Sequence, residues 1–132
     1  MSVLFETKEQ VGWITLQRPK AMNALTREML QEMTARLSQW QQDAAVRVVV
    51  LTGTGAAFCA GADLKQAGDP VEAGQKDYLD LIVDFFNLLR AFPKPVIAAV
   101  NGLALAGGLE TVMCCDLVVA AQSARFGDAH SN

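Results

Sequence analysis

The chain has one histidine and three cysteines (Cys59, Cys114, Cys115), two of them adjacent, with no C-x-x-C spacing. That is too little for a zinc site and no basis for a disulfide framework. The odd cysteine count fits a reducing compartment, and a cytoplasmic protein is expected. Basic residues are also scarce: 11 Lys and Arg stand against 14 Asp and Glu, a net charge of -3. A general nucleic-acid footprint is therefore not expected. No apolar run is long enough to span a membrane. Residues Met1 to Thr7 carry no basic segment leading into a long apolar one, so no secretory signal is read there. The P-loop pattern and the dinucleotide G-x-G-x-x-G are both missing.

What is present is a hydrophobic fraction of 52% over 132 residues, enough for one domain with a core. Val3 to Glu6 and Val11 to Leu16 read as an antiparallel hairpin. Thr26 is the expected N-cap of a helix to about Gln42, with Met29, Leu30, Met33, Leu37 and Trp40 as its core stripe. Arg47 to Thr52 is a β-branched run of the kind buried in parallel sheets. A small-residue loop, Gly53 to Asp63, follows it. Gln75 to Ala91 predicts a second amphipathic helix with Tyr78, Ile82, Phe85 and Leu89 on one face. Pro93-Lys94-Pro95 ends that helix before a strand at Val96 to Val100. A short helix to about Cys115, a strand at Leu117 to Ala121 and an extended piece at Ser123 to Phe126 complete the pattern. Alternating strands and helices predict βαβ units in an α/β fold. No repeat, low-complexity tract or linker divides residues 1–132, which read as one domain without a second. The abrupt end, Ala129-His130-Ser131-Asn132, predicts that the natural domain continues.

Two glycine-bearing loops follow apolar strands: Phe58-Cys59-Ala60-Gly61-Ala62-Asp63-Leu64, and Gly102 to Glu110. Ligands gather at the C-terminal ends of parallel strands. Glycine admits a ligand close to the backbone, and a helix start offers unpaired N–H groups. One N–H from each loop can converge on a carbonyl oxygen, each such donor lowering a barrier by roughly 3 kcal/mol. Glu110, three residues beyond Gly107, is placed to move a proton. The plainer alternatives are two structural turns and a carboxylate that merely complements a helix dipole.

These segments resemble the enoyl-CoA hydratase/isomerase, or crotonase, family. The resemblance lies in R-P-K-A-M-N-A-L at 18–25, V-V-V-L-T-G at 48–53, F-C-A-G-A-D-L at 58–64 and K-P-V-I-A-A-V-N-G at 94–102. It continues through A-G-G-L-E at 106–110, C-D-L-V-V-A at 115–120 and A-R-F-G at 124–127. It implies a crotonase-like spiral of βαβ units (the ClpP/crotonase fold), of which the chain is the N-terminal part, truncated before a C-terminal helical trimerisation region. The implied activity is enoyl-CoA hydratase, a lyase of fatty acid metabolism that adds water to a trans-2-enoyl-CoA through an enolate. Isomerase, hydrolase or other enolate chemistry on a CoA ester is the alternative, as is a non-catalytic acyl-CoA-binding remnant.

By the same resemblance the Ala62 and Gly107 N–H groups form an oxyanion hole for the thioester carbonyl, and Glu110 is the first catalytic glutamate. Met22 and Ala24 flank the pantetheine arm, while Ala60, Asp63 and Leu64 line the adenine and pantetheine side. No cofactor and no metal are implied, coenzyme A being part of the substrate. The partner is an acyl-CoA thioester, with a homotrimer or hexamer expected of the full-length protein. The chain departs from the pattern at His130, which stands where hydratases carry a second glutamate. Histidine there is either an acid or base near neutral pH or a pocket liner. Asp128 is a further candidate two positions away. Lys20 and Lys65 either steer the CoA phosphates or are solvated surface lysines. Cys59 and the Cys114-Cys115 pair read as packing residues, and Asp116 as an anchor for the turn after them.

Overall fold

The structure is a computed structural model that describes residues 2–68 and 71–127. In chain order its elements are β1 (Val3–Lys8), β2 (Val11–Leu16), α1 (Arg27–Trp40), β3 (Val48–Gly53), β4 (Ala57–Cys59) and α2 (Leu64–Ala67). They continue with α3 (Tyr78–Ala91), β5 (Val96–Val100), β6 (Leu103–Leu105), α4 (Gly107–Met113), β7 (Leu117–Ala120) and β8 (Arg125–Gly127).

The main sheet runs β1-β2-β3-β5-β7. β1 and β2 pair antiparallel with Val3 opposite Leu16. The neighbours β2–β3, β3–β5 and β5–β7 are all parallel. The hairpin turns at Glu9 and Gln10, whose φ angles of 50° and 69° give the left-handed pair that matches strand twist. The helices cover this sheet as their periodicity predicts. Met29, Leu30, Met33, Leu37 and Trp40 of α1 are buried, as are Tyr78, Ile82, Phe85, Phe86 and Leu89 of α3. The Thr26 hydroxyl accepts from Met29 N at 3.1 Å and caps α1. α3 starts at Tyr78 rather than Gln75 because the Asp77 carboxylate accepts from Asp80 N at 2.9 Å and fixes the first turn there. Lys94 closes the far end of α1, donating to Trp40 O, Asp43 O and Val46 O. The Asp116 carboxylate accepts from Val96 N at 2.8 Å, so it ties down the start of β5 rather than the turn after it. No helix among the described residues is long and apolar enough to cross a membrane.

A second, three-stranded parallel sheet, β4-β6-β8, was not legible in the sequence. β4 and β6 interrupt the two stretches read there as loops, while β8 falls on the extended piece expected at Ser123 to Phe126. The glycine segments therefore leave the short strands β4 and β6, not the ends of β3 and β5.

Asn23 ties the two layers together. It is fully buried, at a φ of 57°. Its Nδ2 donates to Thr54 O at 3.0 Å and Ala57 O at 2.8 Å, and its Oδ1 accepts from Arg18 N at 2.7 Å. Alanine there forfeits all three bonds and leaves Ala57 O with only its bond from Asn101 Nδ2 at 3.0 Å. Asn23→Ala is expected to cost about 2–4 kcal/mol, read as a lower urea midpoint. An unshifted midpoint would mean that main-chain bonds alone hold the segment.

Candidate active site

The 21–25 and 60–63 segments are stitched together through the main chain. Ala60 N donates to Met22 O at 2.9 Å, Leu25 N to Gly61 O at 2.8 Å and Asp63 N to Leu25 O at 3.0 Å. An isolated parallel bridge pairs Leu25 with Ala62. Asp63 then caps α2, its Oδ1 accepting from Lys65 N at 3.1 Å. Its Oδ2 lies 3.3 Å from Arg18 Nη1, which also donates to Ala24 O at 2.6 Å. This ion pair is sheltered, with side-chain exposures of 25% and 16%. Both residues line a cavity of about 360 Å³ together with Ala21, Ala24, Ala62 and Lys65.

The second segment enters from β6. Ala106 N donates to Gly127 O of β8 at 3.1 Å, and Ala106 itself turns at φ 49°, ψ −117°. A non-glycine residue in such a conformation stores roughly 1–3 kcal/mol of strain, a feature that clusters at functional sites. The turn sets Gly107 against the first segment. A Cβ on Gly61 would lie 3.1 Å from Gly107 N, and one on Gly107 would lie 3.5 Å from Ala62 N. Gly61 has a φ of 110°, which also favours glycine there.

The Ala62 and Gly107 peptides thus sit side by side. Among the described residues neither N–H has a hydrogen-bond acceptor. The Gly61 carbonyl is committed to Leu25 N, and in a trans peptide the Ala62 N–H points the opposite way, off the stitched segment. Two adjacent unpaired donors can hold a negatively charged oxygen. Glu110 lies one turn along α4. It lines a cavity of about 300 Å³ with Ala106, Leu109 and Met113, and its carboxylate is exposed with no ion pair among the described residues.

Of the residues singled out from the sequence, Ala24, Ala62 and Asp63 come together at the first cavity, Ala60 joins the same stitched segments through its bond to Met22 O, and Gly107 approaches from the second segment. Met22 is exposed and touches the group through its carbonyl. Leu64 is the first residue of α2. Lys65 lines the cavity, whereas Lys20 is on the surface outside it. His130 and Asp128 lie outside the described residues. Cys59 is fully buried and desolvation pushes its thiol up to about 11, so it is not a nucleophile at neutral pH. No cluster of three or more His, Cys, Asp or Glu among the described residues is arranged to hold a metal ion. Arg18 and Tyr78 were missed as site residues. Arg18 stands in the quoted R-P-K segment, but nothing local in the sequence pairs it with Asp63.

An α/β chain with mostly parallel sheets, and with paired N–H donors on the segments that leave β4 and β6, fits the crotonase fold. The enoyl-CoA hydratase/isomerase family profile matches residues 6–132, and the chain belongs to that family. It is 46% identical over 128 residues to a putative enoyl-CoA hydratase/isomerase, YngF, of Bacillus subtilis, covering 96% of this chain and 49% of the relative. It is 39% identical over 127 residues to a crotonyl-CoA hydratase of Syntrophomonas wolfei, again covering 96% and 49%. Among solved structures, an enoyl-CoA hydratase/isomerase from Xanthobacter autotrophicus Py2 superposes with a TM-score of 0.87 at 38% identity, covering 97% of this chain and 49% of that one. The chain spans about half the length of the curated relatives it matches.

Proposed function

We propose that the whole protein binds an acyl-CoA thioester and adds water to a trans-2-enoyl-CoA. The observation that carries this is the contact between the Ala62 and Gly107 peptides, both with N–H groups unpaired among the described residues, one helical turn from Glu110. The thioester oxygen sits between the two N–H groups. Water adds at the β-carbon, the electron pair of the double bond passes to that oxygen as an enolate, and the α-carbon then takes a proton. Glu110 takes the proton from water or delivers the one to the α-carbon. The cavity lined by Ala24, Ala62, Asp63 and Lys65 receives the pantetheine arm, with Lys65 near the CoA phosphates. Met22, Ala60 and Leu64 complete that side.

One observation favours a second reading, double-bond isomerisation. Glu110 stands one helical turn from Gly107, and one carboxylate suffices to move a proton between the α- and γ-carbons of an enolate. Crotonyl-CoA and a 3-enoyl-CoA, each incubated with the whole protein, separate the two. A 3-hydroxyacyl-CoA product from crotonyl-CoA is expected. Conversion of the 3-enoyl thioester alone would replace hydratase with isomerase. Calorimetric binding of acetoacetyl-CoA without turnover of either thioester would leave a binding protein, and no binding would overturn the thioester reading.

A further inference from the structure

α3 begins on Tyr78, the only tyrosine of the chain. Its ring is buried in the core, 2% exposed. Phenylalanine would fill that space equally well if packing were the whole role. The hydroxyl, however, reaches into the first donor segment. It donates to Leu25 O at 2.5 Å and accepts from Asp63 N at 3.2 Å. Asp63 N also donates to Leu25 O, so three groups from three separate parts of the chain close a triangle. Burial holds the phenol above its ordinary range, and it remains a donor at neutral pH.

The triangle adjoins the peptide that matters. The Gly61–Ala62 unit is fixed on one side by Leu25 N and followed on the other by Asp63 N, whose acceptor Tyr78 shares. Arg18 and the α2 cap then hold the Asp63 side chain. We infer that Tyr78 is a positioning residue whose hydroxyl sets the aim of the Ala62 N–H. This rests on the thioester chemistry proposed above. It ties the aim of a donor to the seating of α3, 15 residues further along the chain. A donor displaced by a fraction of an ångström loses much of its advantage, because preorganisation is what it contributes.

Tyr78→Phe in the whole protein removes only the hydroxyl. We expect kcat with crotonyl-CoA to fall about tenfold or more while KM moves less than about threefold, the pattern of an interaction made in the transition state. Amide exchange at Asp63 and Leu25 should quicken without a matching change at the core amides of β3 and β5. Unchanged exchange at Asp63 and Leu25 overturns the inference, whatever the activity. Quickened exchange with an unchanged kcat in an active parent also overturns it. A parent that neither binds nor converts acyl-CoA removes the thioester reading, and the local exchange result then decides the positioning role by itself.

Discussion

Gly108→Ala is expected to destabilise the protein by more than about 3 kcal/mol and to abolish acyl-CoA binding, whereas alanine one position earlier should be tolerated. A Cβ on Gly108 would stand 2.0 Å from Cys59 O and 2.7 Å from Cys59 C. Both atoms are main chain of β4, which is buried throughout and paired to β6, so they cannot swing aside. The only relief is to lift α4 off β4. That movement withdraws Gly107 from Gly61 and Ala62, so stability and the paired donors should fail together. At Gly107 the added carbon would meet Gly61 Cα at 3.4 Å, an ordinary contact. Urea midpoints of the two single variants test the difference. Equal midpoints would mean that α4 is not held against β4 by close backbone packing.

This contrast was not legible in the sequence, which shows only two adjacent glycines. Periodicity displays the faces of long elements, and so α1, α3, β2 and β5 stand where the apolar pattern puts them. β4 and β6 have three residues each, Ala57–Cys59 and Leu103–Leu105, too few for any period to declare itself. They exist because of each other and β8, through pairings that no local pattern encodes. The strain at the second segment was hidden for another reason. Glycine invites the expectation of a left-handed turn at Gly107-Gly108, yet Ala106 makes that turn while the glycines serve close packing. β7 was readable as a strand. It lies last in the sheet order, with all four residues exposed. At the site, Ala62, Gly107 and Glu110 were reachable through motif resemblance. Arg18 and Tyr78 were not, because their partners lie 45 and 53 residues away in the chain.

Glu110→Gln is expected to lower kcat with crotonyl-CoA by about 10²–10⁴-fold in the whole protein and to leave the fold intact, the usual range for a lost general acid or base. The amide keeps the size and polarity of the carboxylate, and KM should change little. Stability should change little as well. The carboxylate is exposed and makes no ion pair among the described residues; α4 is instead held by Gly108 against β4 and by the Thr111 hydroxyl donating to Gly107 O at 2.7 Å. The competing role, a negative charge complementing the start of α4, is worth under about 1 kcal/mol and would touch stability alone. The two roles therefore move different observables. A thermal midpoint within a degree or two of the parent, together with a collapsed kcat, assigns Glu110 to proton transfer. A small loss of stability with kcat preserved assigns it to the helix, and the proton chemistry would then have to come from a group other than α4.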